Sequence, residues 1–292
     1  MDENQRQQAV ELYDRYTHEG MDRRVFMARM TAIAGSAAAA SALVATIAAD
    51  PAGAAIVPPT DRRLKTMTDG LLGNDGVPLY TAYTAEPATG AREASLIVIH
   101  ENRGLNDHTR DVARRLALSG FHAVAVDFLS PVGGTPADPD KAREMIGKLD
   151  LSASTAHAIA MLDLLAKRRG GNGKVGVVGF CWGGAFVNRL AVAAGGKLDV
   201  GVSYYGVAPD ASEAARVSSP LVIHLAGLDE RVNKSAFLWV AALRAAGKPV
   251  KYFNYEGVNH AFNNDTSAER YNKPASDLAW KRTIAAFRQH LA

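Results

Sequence analysis

A glycine-framed turn at residues 179–184 places the strongest constraint on how this chain can fold. The turn has the sequence Gly-Phe-Cys-Trp-Gly-Gly; it follows the β-branched run 174–178 and precedes the breaker-free stretch 184–193. The run before the turn is typical of a buried parallel strand, and the stretch after it predicts a helix. A Gly-x-Cys-x-Gly turn between a strand and a helix matches a nucleophile elbow in which cysteine replaces the usual serine. The sequence therefore predicts an α/β fold that presents Cys181 on a sharp, strained turn.

Cys181 is the one cysteine of the chain. A helix that begins beside it would point free N–H groups and the positive end of its dipole at the sulfur, which favours thiolate over thiol. The alternative is a buried structural cysteine, because cysteine is among the most buried residue types. The strand-turn-helix context favours a nucleophile. A lone cysteine also excludes an internal disulfide and a multi-cysteine zinc site.

The composition indicates one α/β catalytic domain preceded by a segment of different character. The chain has 292 residues, and its 33 basic and 30 acidic side chains give a formal charge of +3. Charges so balanced and interspersed predict no nucleic-acid partner. We expect a leader over residues 1–60 and the catalytic domain over 61–292, with neither a metal nor an organic cofactor.

The leader is similar to a twin-arginine export signal. Arg23 and Arg24 precede the uncharged stretch 30–49, and small residues at 52–54 are candidates for cleavage. These features predict export to the periplasm, with the twin-arginine translocation machinery as a partner. Two alternatives stay open, a membrane-associated helix that is not cleaved and an ordinary packing helix of a cytoplasmic protein.

Beyond the leader, strands and helices alternate, which predicts a mostly parallel central sheet with helices on both faces. Functional residues of such sheets collect just beyond the carboxyl ends of the strands. The short helix at 141–149 could cover a pocket at that edge. The predicted strands are 78–84 (at the sheet edge), 96–100, 122–126, 174–178, 200–205, 221–225 and 250–255, and the predicted helices are 109–119, 141–149, 154–169, 184–193, 235–246 and 274–290.

A thiol nucleophile needs a base that removes its proton and a carboxylate that orients the base. His260 follows the last predicted strand and lies downstream of Cys181, as the base of this fold does. Asp229 follows the preceding strand and is the candidate orienter, with Glu230 as its nearest rival.

An oxyanion hole needs two backbone donors, one from the residue after the nucleophile and one from an earlier strand-to-helix loop. Trp182 meets the first condition. The loop 100–106 meets the second, and the amide of Asn102 is its best candidate. Glu101 in the same loop could accept the thiol proton or hold the thiol in a resting pose.

Four motifs in this order resemble the dienelactone hydrolase family: residues 100–106, 179–184, 227–229 and 257–262. The likeness runs from about residue 65 to the end of the chain. It implies an α/β-hydrolase fold in which Cys181 is the nucleophile and His260 the base. By the same resemblance, Asp229 orients the base and Glu101 interacts with the thiol before substrate arrives.

The resemblance also implies a reaction, the opening of an enol-lactone through an acyl-thioester intermediate. A small-molecule lactone or activated ester is therefore the expected partner. One alternative keeps the triad and changes the substrate to an aryl ester or thioester. Another is a non-catalytic hydrolase-fold protein in which Cys181 senses oxidants by forming a sulfenate.

Substrate recognition departs from the family pattern at Asn264. Well-known members have an arginine there that grips the carboxylate of the lactone, so a bidentate ionic contact is lost. Arg103 or Arg143 could replace it if either faces the pocket. The candidate substrate-binding residues are Arg103, Tyr255, Phe262 and Asn264, the two aromatic residues as apolar lining.

Overall fold

The computed structural model describes residues 1–48, 55–74, 77–90 and 93–292 of the protein. The cleavage candidates at 52–54 and the last residue of the uncharged stretch, Ala49, lie outside these ranges.

Eight strands of the described chain form one sheet in the order β1-β2-β4-β3-β5-β6-β7-β8. The six strands from β4 to β8 in this order pair in parallel, while β2 runs antiparallel to both of its neighbours. The mostly parallel sheet is thereby confirmed. The strands are β1 Leu64–Asn74, β2 Val77–Pro87, β3 Glu93–Ile99, β4 His122–Val126, β5 Gly171–Phe180, β6 Val200–Tyr204, β7 Leu221–Ala226 and β8 Val250–Tyr255.

Helices cover both faces of this sheet, also as predicted. One buried cluster joins the sheet to α4 and α9 through side chains such as Leu116 and Phe287. The other joins the opposite face to α6, α7 and α8 through side chains such as Leu162, Leu190 and Trp239. These helices are α4 Asp107–Leu118, α5 Pro139–Gly147, α6 Leu151–Ala166, α7 Trp182–Ala193, α8 Glu230–Ala245 and α9 Lys273–Leu291.

The prediction of an edge strand at 78–84 was wrong in its position within the sheet. β2 lies between β1 and β4, and the two edge strands of the described sheet are β1 and β8. The sequence did not predict β1, because Gly70, Gly73 and several polar residues interrupt the alternation of apolar and polar side chains that is typical of a strand.

The first helices of the chain form a unit with an apolar core of its own. They are α1 Glu3–His18, α2 Arg23–Ala34 and α3 Ala37–Ile47. Tyr13, Tyr16, Phe26 and Met30 are buried between them. No single helix in the described ranges is long and apolar enough to cross a membrane; by length and composition only, two helix pairs with sharp bends could, α2 with α3 and α5 with α6. Export of the protein stays a prediction.

The glycines of the elbow are required by close approach of backbones. A Cβ at Gly183 would lie 2.5 Å from the carbonyl oxygen of Ile99 and 2.6 Å from that of His100. A Cβ at Gly179 would overlap the carbonyl group of Gly183. A side chain at Gly183 would push α7 away from the end of β3, and one at Gly179 would push β5 away from α7.

We expect Gly183→Ala to lower the free energy of unfolding by at least about 2 kcal/mol, because two backbone carbonyl groups would have to move. Gly196→Ala is the control, since a Cβ there meets nothing within 4 Å, and it should change stability by less than about 0.5 kcal/mol. Urea unfolding followed by circular dichroism measures both. Equal midpoints for the two variants would contradict this account of the elbow.

Candidate active site

Cys181 occupies the turn between the end of β5 and the start of α7. Its backbone has φ 56° and ψ −113°, a conformation that side-chain-bearing residues rarely adopt. A hydrogen bond from its N–H to the carbonyl oxygen of Tyr204, at 3.0 Å, holds the turn against β6. The side chain of Cys181 makes no capping bond to α7. The first N–H groups of this helix, including that of Trp182, are therefore free to face charge that develops beside the sulfur.

Asp229 links the start of α8 to His260. Its Oδ1 accepts a hydrogen bond of 3.1 Å from the N–H of Val232 and caps the helix. Its Oδ2 lies 2.5 Å from Nδ1 of His260. Both side chains are buried. The predicted helix at 235–246 begins earlier, at Glu230, because Asp229 caps it there.

The charges around His260 hold it in the imidazolium form. Burial by itself lowers the pKa of His260, but the carboxylate of Asp229 and the charge of Cys181 outweigh burial and raise it to about 10. Burial raises the pKa of Asp229, but His260 more than offsets this and lowers it overall. A ring nitrogen of His260 lies within 4.8 Å of the sulfur of Cys181. Nδ1 is held by Asp229, whereas Nε2 has no hydrogen-bond partner among the described residues. This nitrogen is placed to exchange a proton with the thiol or with a group bound to it.

Glu101 follows β3 and lines the same cavity as Cys181. Its Oε1 accepts a hydrogen bond of 3.3 Å from the hydroxyl of Tyr205, and its Oε2 accepts one of 3.0 Å from Nδ2 of Asn264. Burial raises the pKa of Tyr205 well above its ordinary value, so this phenol is a donor throughout the neutral range. The amide of Asn264 thus contacts a catalytic candidate.

The cavity beside Cys181 has a volume of about 380 Å³. Basic side chains contribute much of its wall, and four lining residues come from the N-terminal helical unit or the residue that follows it. Asn102 and Arg103 are part of the wall. The described lining residues are Tyr13, Thr17, His18, Ala48, Glu101, Asn102, Arg103, Leu105, Asn106, Asp107, Arg110, Thr135, Pro136, Ala137, Pro139, Cys181, His260, Ala261 and Arg270.

Three predicted substrate-binding residues do not occur in that lining. Asn264 and Phe262 have no exposed surface, and Tyr255 is buried as well. The hydroxyl of Tyr255 lies 2.9 Å from Nδ1 of His224, and its ring packs 5.0 Å from that of Phe262. Tyr255 and Phe262 are therefore buried packing residues, and Asn264 contacts Glu101.

The two candidate arginines both lie beside the cavity. Arg103 is 14% exposed and donates hydrogen bonds to Asp140, at 3.0 Å, and to the hydroxyl of Tyr13, at 2.8 Å. Arg143 of α5 donates a 2.6 Å bond to the carbonyl oxygen of Tyr16 and lies over the ring of that residue. Arg143 and Trp182 line an adjoining cavity that also reaches Cys181. The helix predicted at 141–149, now α5, therefore does border the site.

Sequence reasoning missed His18 and Arg270. The Nε2 atom of His18 lies 3.9 Å from the sulfur of Cys181, and its ring packs edge-on against that of His260, with 4.8 Å between centroids. Arg270 is buried and lines the cavity. His18 belongs to the segment predicted as a leader, and Arg270 to a loop without a recognisable motif, so no local signal marked either.

Nucleophile chemistry accounts for this cluster better than metal binding does. The donor atoms of His18, Cys181 and His260 all lie within 4.8 Å of one another. However, Cys181 lies on a strained strand-to-helix turn, and Nδ1 of His260 is already held by Asp229, which is the arrangement of a nucleophile and its oriented base. We therefore assign none of these residues as a metal ligand.

Comparison with known proteins identifies the family. The sequence model of the dienelactone hydrolase family matches residues 80–291, which include the four motifs and the strands from β3 onward. The chain belongs to the dienelactone hydrolase family. It is accordingly a hydrolase that acts on esters or lactones.

Individual relatives agree with membership of the dienelactone hydrolase family. Protein usf of Aquifex pyrophilus is 32% identical over 72% of the chain and 93% of its own length. The carboxymethylenebutenolidase of Pseudomonas putida is 30% identical over 65% of the chain and 83% of its own length. A dienelactone hydrolase-like promiscuous phosphotriesterase from metagenomic libraries shares the fold, with a TM-score of 0.67 and 22% identity over 79% of the chain and 100% of its own.

The ion pair should make stability depend on pH above neutrality. Because the pKa of His260 is raised in the folded state, the stability it contributes is complete below about 6.5, the unfolded value, and is lost as pH rises through about 10. We expect the free energy of unfolding of the wild type to fall between pH 7 and 10 by more than that of Asp229→Asn, which keeps the helix cap and removes the charge. Urea unfolding at four pH values measures this. Parallel profiles would contradict the ion pair.

Proposed function

We propose that this protein opens an enol-lactone, or cleaves an activated ester, through an acyl intermediate on Cys181. Cys181, His260 and Asp229 act as nucleophile, base and orienter. One observation carries this proposal. Cys181 sits on a strained turn with a ring nitrogen of His260 within 4.8 Å of its sulfur, and Nδ1 of that ring is held by Asp229, which leaves Nε2 for the thiol.

The first half of the reaction forms a thioester. The thiolate attacks the carbonyl carbon, so a C–S bond forms and the carbonyl oxygen becomes an oxyanion, which the N–H groups of Trp182 and Asn102 stabilise. The C–O bond of the ester then breaks. The imidazolium of His260 gives its proton to the leaving enolate, which keeps both charge and protons balanced.

The second half regenerates the enzyme. His260, now neutral, takes a proton from a water molecule, and the resulting hydroxide attacks the thioester carbon. The C–S bond breaks, a carboxylic acid forms, and the thiolate and imidazolium are restored together. Asp229 holds the ring in the same orientation throughout, so Nε2 serves both halves.

The choice of sulfur restricts the substrate. A thiolate is itself a good leaving group, so the tetrahedral intermediate of an ordinary alkyl ester would tend to expel sulfur again. An enolate or aryl oxide leaves more readily, which favours enol-lactones and activated esters. The cavity of about 380 Å³ suits a small molecule, and the relative from Pseudomonas putida is named a carboxymethylenebutenolidase.

Removing the thiol should abolish turnover. We expect Cys181→Ala to lower kcat/KM for a dienelactone and for p-nitrophenyl acetate by at least about 1000-fold, and Cys181→Ser to recover little, since a hydroxyl ionises far less readily. Mass spectrometry of the wild type should find the acyl group on Cys181, the single thiol of the chain. Undiminished activity of the alanine variant would overturn the assignment. Negligible turnover by the wild type, with a reversible response to peroxide at this thiol, would instead favour a redox sensor.

We also propose that the segment containing Arg23 and Arg24 directs export through the twin-arginine machinery. Residues 1–60 fused to a reporter should carry it to the periplasm. Replacement of both arginines by lysine should keep the reporter in the cytoplasm, because the signal is read through the guanidinium pair. A cytoplasmic reporter with the unaltered segment would contradict export.

A further inference from the structure

The last turn of α1 reaches into the catalytic centre. His18 is the final residue of this helix, and its Nε2 lies 3.9 Å from the sulfur of Cys181. Tyr13 and Thr17 of the same helix line the cavity beside it. The N-terminal helical unit of residues 3–47 therefore supplies part of the wall that a substrate would touch.

Polar contacts tie α1 to the loops of the catalytic domain. The amides of Gln7 and Asn259 exchange two hydrogen bonds of 3.0 and 3.1 Å, next to His260 in sequence. Nδ2 of Asn102, the residue proposed for the oxyanion hole, donates to the carbonyl oxygen of Thr17 at 3.4 Å. Both contacts place α1 directly over residues that perform the chemistry.

The far end of the unit is anchored as well. The carbonyl oxygen of Ile47, the last residue of α3, accepts bonds from Ser267 Oγ at 2.6 Å and from Arg270 Nε at 3.1 Å. Arg270 also pairs with Asp14 of α1 at 3.4 Å. One buried arginine thus joins α1, α3 and the loop that carries His260. Hydrogen bonds to a charged group such as this guanidinium are stronger than bonds between neutral groups.

These contacts hold the N-terminal helical unit against the active site at both of its ends. We propose that the N-terminal helical unit is a permanent cap of the active site, and that His18 is a positioning residue whose Nε2–H donates a hydrogen bond to the thiolate of Cys181. The inference rests on Cys181 being the nucleophile of the proposed hydrolase.

His18 is suited to this task because it is neutral. Burial lowers its pKa well below the ordinary value, and the positive charges of His260 and nearby arginines act in the same direction. A neutral imidazole carries one N–H, and the tautomer with the proton on Nε2 points it at the sulfur. The thiolate then lies between an imidazolium, which can transfer a proton, and a neutral donor that cannot readily accept one.

Charged and titratable groups from every neighbouring element surround His18 and Cys181. A test must therefore separate the effect of His18 on the thiolate from the effects of these groups. They are Asp14 of α1, Glu101 and Arg103 after β3, Asp107 and Arg110 of α4, Asp140 and Arg143 of α5, Tyr205 after β6, Asp229 and Arg231 at the start of α8, and His260 and Arg270 before α9.

Alkylation of the single cysteine tests the hydrogen bond without any substrate. Rates with iodoacetamide are measured against pH for the full-length wild type, for His18→Ala and His18→Gln, and for the control His290→Ala at the chain terminus. The pH midpoint reports how well the thiolate is stabilised, and the plateau rate reports access to it.

We expect His18→Ala to raise the midpoint by about half a unit to one unit, which is about threefold to tenfold less thiolate below the midpoint. His18→Gln, which keeps an N–H donor, should recover part of this shift, and His290→Ala should match the wild type. A higher plateau in His18→Ala with an unchanged midpoint, in a variant whose circular dichroism is intact, would overturn the hydrogen bond. Because the measurement requires no turnover, it is distinguishable from a failure of the proposed hydrolysis.

A separate measurement tests whether the cap stays on the mature protein. Intact-mass spectrometry of the protein from its source cells should find a chain that retains residues 3–47. Export and a cap are compatible only if these residues are retained. A mature chain that begins beyond residue 48 would overturn the cap.

Discussion

The strained backbone of Cys181 is the constraint on which the rest of the site depends. A residue with φ 56° costs about 1–3 kcal/mol, and it persists only where surrounding structure leaves no alternative. Here β5 is paired on both sides and α7 packs directly on the backbone of β3 through Gly183. The position of Cys181 is therefore fixed by the sheet itself. His260 and Asp229 then need only be supplied by loops at the same edge.

The sequence predicted those parts of the protein that are encoded locally. The elbow, the run of parallel strands and the order of Cys181, Asp229 and His260 all follow from short motifs, and the structure has them in the predicted places. β1 was missed because a strand with one neighbour tolerates glycines and polar residues, and these break the pattern by which strands are predicted. His18 was missed because its contact with Cys181 spans 163 residues of sequence. Periodicity and spacing describe neighbours along the chain, whereas this contact depends on how two folded units pack.

The asparagine at position 264, where well-known family members have arginine, changes the surroundings of Glu101. An arginine there would bring a positive charge toward Glu101. Asn264 instead donates a neutral hydrogen bond to that carboxylate, and Tyr205 donates another. Glu101 consequently has a hydrogen-bond donor at position 264 and no ionic partner there. Arg103 and Arg270, which do line the cavity, already pair with Asp140 and Asp14, so an anionic substrate would compete with carboxylates of the protein for them.

Asp229 couples the first turn of α8 to the orientation of His260. One of its oxygen atoms caps the first turn of α8 and the other holds His260. Helix ends fray at lower temperatures than those at which a whole domain melts. Fraying of this one turn would release the carboxylate and let the imidazole rotate while the sheet remained intact. The cap of α8 and the orientation of His260 would then be lost in one event, because a single carboxylate serves both.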